Sequence, residues 1–211
     1  MLNIRVVIVA ILSLATGSAR ALTFEQQLLQ INQNASVIAQ PARQAFLAPG
    51  AQALAAQGPT EWQTVTGPDG AFTAEMPGVP YHSTETLSSS GITYAWHEYS
   101  LQTNGAEYYL QTAIYPPSAK VDFSNPRQIL EAGANSTAVN LDGGKWTSLT
   151  WTTRQGHTAF DGVGVSKGRE IRIFALLRGK QLINVIYIGS GNTGTVRSET
   201  VNRFFASLNI R

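Results

Sequence analysis

The chain has 211 residues, 43% of them hydrophobic and 13% charged, with a formal net charge of +2 and no cysteine. That is enough apolar material for one domain of ordinary size, and the lack of cysteine excludes a disulfide framework, a thiol nucleophile and a thiolate metal site. Nor is the positive charge a nucleic-acid footprint: Arg5 and Arg20 lie in the first 21 residues, and from Leu22 onward 13 basic side chains balance 13 acidic ones.

Residues 1–5 carry one positive charge, residues 6–15 are almost wholly apolar, and Thr16-Gly17-Ser18 then leads to Ala19-Arg20-Ala21, an A-x-A cleavage pattern. The expected segment is a signal peptide over 1–21, cut after Ala21, which gives a periplasmic or secreted address. As a membrane anchor the apolar run is about half the ~20 residues that spanning needs. No cysteine follows it and no second segment approaches spanning length, so neither a lipoprotein nor a stable membrane anchor after cleavage is expected.

Over 22–58 the pattern is first helical. Phe24, Leu28, Ile31, Ala35 and Ile38 recur at spacings of three and four, and Thr23 with Gln26 has capping-box spacing. One helix or two short ones over 22–47 are expected, interrupted near Pro41, and a stretch rich in Ala, Gln, Gly and Pro serves as linker.

From 59 to 211 the period becomes two, as in strands. Residues 72–76 alternate and stop at Pro77-Gly78, and Ser88-Ser89-Ser90-Gly91 reads as a flexible loop. Residues 92–103 alternate again, then Asn104-Gly105, a hairpin dipeptide, leads into 107–115. A helix follows, with Asn125 as cap, Pro126 at its first position and Ile129, Leu130 and Ala134 as its apolar face. Beyond Asp142-Gly143-Gly144 come strand-like runs at 145–154, 157–166, 170–177 and 181–188, the last two joined by Arg178-Gly179-Lys180. A closing helix has Ser198 as cap and Val201, Phe204, Phe205 and Leu208 as its stripe. Short connections imply antiparallel pairing, and the continuous apolar run at 183–188 implies a central strand covered on both faces. The fold class is therefore α+β, an antiparallel sheet flanked by helices in an α/β/α sandwich.

Trp62 and the run from Asp69 through Phe72-Thr73-Ala74-Glu75-Met76-Pro77-Gly78-Val79-Pro80 resemble the opening of a group of uncharacterised bacterial exported domains that begin with a Trp and an F-x-x-x-M-P-G-x-P hairpin. The strands around Gly179 and the closing Phe204-Phe205-Ala206-Ser207-Leu208 are similar to the end of that pattern. Such domains are grouped with the PsbP-like fold. The resemblance implies accessory subunits and binding modules, and carries over no catalytic residue.

The residues themselves offer little catalytic chemistry. His82, His97 and His157 show no metal-ligand spacing within one element, and His97 and Glu98 are adjacent on a strand and face opposite ways. No G-x-S-x-G occurs where a strand meets a helix. Gly162-Val163-Gly164-Val165-Ser166 opens no helix and lacks a following Gly-Lys-Ser, so it is no phosphate cradle. Asp161 and Glu170 read as surface charges. Neither a catalytic residue, a metal site nor a cofactor is expected.

Two groups of residues remain as binding candidates. Tyr94, Trp96 and Tyr99 on one hairpin strand and Tyr108 and Tyr109 on its partner are the candidate aromatics of a ligand cleft, although alternation puts Tyr94 and Trp96 on one face and Tyr99 on the other. Trp146 and Trp151 differ in parity and form no stripe. Charge is lopsided: residues 22–144 hold 3 basic and 10 acidic side chains, residues 145–211 hold 10 basic and 3 acidic. If Lys167, Arg169, Arg172, Arg178 and Lys180 cluster, they form a basic sheet edge for docking a partner, Arg172 and Arg178 sharing a face. The resulting expectation is an exported non-enzymatic accessory or protein-binding module whose partner is an unidentified protein or small ligand. The alternatives are a periplasmic small-molecule binder with an aromatic-lined cleft and, behind it, a hydrolase.

Overall fold

Strand alternation builds the core of the computed structural model, which describes residues 61–89, 92–103, 105–119, 121–189 and 195–211. The signal peptide and the helix and linker over 22–58 expected above lie outside the described residues. Among these, no helix is long and apolar enough to cross a membrane.

The strands are β1 (Gln63–Thr66), β2 (Phe72–Met76), β3 (Tyr81–Ser89), β4 (Ile92–Thr103), β5 (Ala106–Ile114), β6 (Ser148–Arg154), β7 (His157–Ser166), β8 (Arg169–Arg178), β9 (Gln181–Ile188) and β10 (Asn209–Ile210). Helix α1 spans Pro126–Ala138 and α2 spans Glu199–Ala206. Strands β3 to β9 form an antiparallel seven-stranded sheet ordered β3-β4-β5-β9-β8-β7-β6, and β1-β2-β10 form a small second sheet. Every residue of β9 is buried, as its continuous apolar run requires of a strand covered on both faces.

One face of the large sheet packs Trp96, Ile173, Leu182 and Ile186 against Ile129, Leu130 and Ala134 of α1. The other packs Leu110, Phe174, Ile183 and Val185 against Val201, Phe204 and Phe205 of α2 and against Phe72 and Met76 of the small sheet. The expected antiparallel sheet flanked by helices is present, with a small sheet sharing the layer of α2. Both helix caps form as read: Asn125 Oδ1 accepts from Gln128 N at 3.1 Å and Ser198 Oγ from Val201 N at 3.4 Å. Arg154 Nη1 closes the other end of α2 by donating to the carbonyls of Phe205 and Leu208.

Three local readings change. Ser88 and Ser89 are the end of β3 rather than a loop, because the Ser- and Thr-rich segment before them pairs with β4 residue by residue, from Tyr81↔Ser100 to Ser89↔Ile92. Ser90 and Gly91 lie outside the described residues. Trp146 precedes β6, so strand alternation does not govern it, and its ring packs edge-on against Phe160 just as the Trp151 ring does. Finally, the chain does not close with α2: β10 returns to pair with β2.

Candidate functional site

The five cations do not assemble. Strand β8 lies inside the sheet between β7 and β9, so the expected basic edge does not exist. Lys167 (φ 53) and Gly168 (φ 71) form the tight β7–β8 turn, and their amides donate to the Asp142 carboxylate at 2.8 and 3.0 Å, which holds that carboxyl below its ordinary pKa. Arg169 reaches across β9, donating to Glu107 Oε1 at 2.7 Å and to the Gly189 carbonyl at 2.8 Å. Arg172 and Arg178 do share a face. Arg172 is nevertheless consumed by a two-pronged pair with Asp161, at 3.1 and 2.7 Å. Arg178 donates to the Arg211 carbonyl at 2.7 Å and Lys180 to the Pro117 carbonyl at 2.7 Å. Arg178 and Lys180 line a cavity of about 310 Å³ together with Asp69, of opposite charge, and the neutral Gln181. Of the five cations, Arg169 alone forms an ion pair with a carboxylate of the acidic 22–144 stretch, Glu107, while Arg172 pairs with Asp161 of its own half.

Nor do the aromatics rim one cleft. Tyr94 and Trp96 are buried on the α1 face, with Tyr109 partly buried beside them, while Tyr108 and Tyr99 belong to the α2 face. Tyr94 leans on Tyr115 at 5.0 Å between centroids, and Tyr108 meets Phe204 edge-on at 5.3 Å. These contacts are packing.

Catalytic geometry is equally sparse among the described residues. Asp161 belongs to Arg172, and Glu170, which lies opposite Val165, is not joined to it. Gly162 and Gly164 serve packing, since a Cβ on Gly162 would sit 2.8 Å from the Trp146 ring and one on Gly164 2.6 Å from Leu141. No group of three His, Cys, Asp or Glu side chains that would hold a metal occurs among the described residues.

Three other features stand out. The first is a polar row crossing the α1 face of the sheet. Register places Ser83 opposite Glu98, Glu98 opposite Gln111, and Gln111 opposite Asn184. Glu98, Gln111 and Asn184 are 6%, 1% and 2% exposed. Gln111 Nε2 donates to Glu98 Oε2 at 2.8 Å, yet Ser83 Oγ, Gln111 Oε1 and Asn184 Nδ2 have no partner, three of the four such buried side-chain atoms among the described residues. Each unpaired buried group costs about 1–3 kcal/mol. The sequence signal was Asn184 interrupting an otherwise apolar run.

The second is an exposed apolar tip. Met76 is fully buried, Pro77 and Gly78 remain covered, and the chain then turns outward so that Val79 and Tyr81 are 73% and 69% exposed. Gly78 takes φ 148 and its amide donates to the Met76 carbonyl, a conformation that needs glycine. The third is a pair of imidazoles, His82 on β3 and His97 on β4, which share the Thr84 hydroxyl. Burial, then the neighbouring His82, lowers the His97 pKa, and Asp69 opposes that shift.

No protein-family model matches the chain, and no curated protein matches it. Among solved structures it is similar to the solution structure of cyanobacterial PsbP (CyanoP) from Synechocystis sp. PCC 6803, at 10% sequence identity and a TM-score of 0.48, over 75% of this chain and 99% of that one. The likeness says nothing of activity.

Proposed function

We propose that the chain is an exported, non-catalytic binding module that docks another protein through the tip formed by Val79, Pro80 and Tyr81. The observation that supports this reading is the exposure of two large apolar side chains on a rigid support. Val79 and Tyr81 are the two most exposed large hydrophobics among the described residues. They stand between buried Met76 and the first pair of β3, Tyr81↔Ser100, while Pro77 and Pro80 fix φ. Preorganisation lowers the ordering cost of binding, and tyrosine is among the side chains that dominate interfaces. Export rests on the reading of residues 1–21.

The test is affinity capture from periplasmic extract of the producing organism, with the chain from Leu22 onward as bait beside a Val79→Asp/Tyr81→Ala variant. Because both side chains are exposed, the variant should keep its stability to within about 0.5 kcal/mol. A protein retained by the native bait and lost by the variant is expected; equal retention by the two baits contradicts the proposal.

A second reading, a binder of small polar molecules, draws on the orphaned atoms of the Ser83–Glu98–Gln111–Asn184 row. It makes its own prediction. Asn184→Val removes an unpaired buried donor, so the ligand-free protein should gain about 1 kcal/mol and melt about 2–4 °C higher. A lower melting point would show that Asn184 is satisfied in the free protein and remove the support for this reading.

A further inference from the structure

His82 and His97 are far apart in sequence and meet because of strand register. In the β3–β4 pair His82 lies opposite Tyr99 and Thr84 opposite His97, so the two imidazoles are diagonal neighbours on one face of the sheet. Their ring centroids are 5.8 Å apart and their planes differ by 13°. His82 Nε2 is 3.5 Å, and His97 Nδ1 3.2 Å, from the same atom, Thr84 Oγ1. One nitrogen of each ring therefore lies near the same hydroxyl. A hydroxyl carries a single proton and can donate to only one of them at a time.

The surroundings keep this arrangement in place. The Tyr99 ring lies parallel to His82 at 4.1 Å, and its hydroxyl donates to the Thr66 carbonyl at 3.1 Å, which anchors the stack to the small sheet. His82 and Thr84 are exposed on β3, the outermost strand, so the spot is open to solutes. Asp69 contributes a negative field at His97.

We propose that His82 and His97 together bind a borderline divalent transition-metal ion, with Cu²⁺ held more tightly than Zn²⁺. Imidazole nitrogen suits these ions, and the first-row affinity order places copper above zinc. Since no third His, Cys, Asp or Glu among the described residues completes the set, the protein supplies two ligands. The remaining coordination positions are open to water or to a side chain of a docked partner. His157, on β7, has no part in the site.

The experiment is titration of the chain from Leu22 onward with CuCl₂ and, separately, ZnCl₂, followed by calorimetry and, for copper, by electron paramagnetic resonance. One equivalent of Cu²⁺ with two-nitrogen hyperfine structure is expected. His82→Ala and His97→Ala should each weaken binding roughly tenfold or more, because each removes one arm of a chelate. Thr84→Val and His157→Ala should leave binding in place, and circular dichroism identifies any variant that has lost its fold. Failure of the native chain to take up one equivalent, unchanged affinity in folded His82→Ala and His97→Ala, or an equal loss in His157→Ala would each overturn the proposal.

Discussion

Raising the pH to about 12 is expected to unfold the domain cooperatively, because four tyrosines are held neutral by burial. Burial pushes the Tyr94 pKa from 10.0 up to about 12. Burial, and then the neighbouring Tyr187, does the same to Tyr108. Tyr109 is pushed up further by burial first and then by its hydrogen bond to Glu107, and Tyr115 by burial and then Tyr94. All four pKa values are raised in the folded chain. Their contribution is therefore fully present below the unfolded value near 10 and is lost as pH climbs through the folded values. A two-unit shift corresponds to about 2–3 kcal/mol at Tyr94 and, after allowance for screening, about 1–2 kcal/mol at Tyr108. Against a total stability of about 5–15 kcal/mol, the four together suffice to unfold the domain. Phenolate absorbance and circular dichroism followed in one titration should show these tyrosines ionising with loss of the fold. Full ionisation near pH 10 with the dichroism unchanged would mean that these four tyrosines are not buried.

Replacing Arg172 by Ala is expected to cost about 3 kcal/mol and to lower the melting temperature by about 6–12 °C. The guanidinium grips both oxygens of Asp161 on β7, donates to Asn202 Oδ1 of α2 at 2.9 Å and lies 4.3 Å over the Phe205 ring. It thus joins β7, β8 and α2 from a side chain only 17% exposed, and truncation strands the Asp161 carboxylate. Arg172→Lys should recover only part of the loss, since an ammonium cannot reproduce the fork. A melting temperature unchanged by Arg172→Ala would return the residue to the role of a surface cation available for docking.

The contrast between that expectation and the sequence reading shows where sequence information runs out. Period-two alternation placed β2 and β4 to β9, and cap residues placed the helix starts at Asn125 and Ser198, because burial and capping act on neighbours along the chain. The same alternation separated Tyr94 and Trp96 from Tyr99 correctly. Strand β3 escaped because its polar Ser and Thr residues carry no hydrophobic period: its place at the sheet margin is set by main-chain pairing with β4. Once β3 is unknown, the meeting of His82 with His97 and the alignment of Ser83 with Glu98 cannot be found, since both depend on register. The cations of β8 were legible as a charged group but not as internal partners. The counterions of Arg172 and Arg169, Asp161 and Glu107, lie on other elements, and strand order, which sequence periodicity does not contain, decides who meets whom.

The central claim, docking through the Val79–Tyr81 tip, is tested most directly by placing a photo-activatable benzoylphenylalanine at position 79 in the full chain produced in its own host, with position 139 as control. Val139, also an exposed large hydrophobic, is the residue just past α1. Irradiation of cells should give one discrete heavier species from position 79, abolished by Tyr81→Ala, and none from position 139. No adduct at position 79, or the same adducts from both positions, would contradict the account.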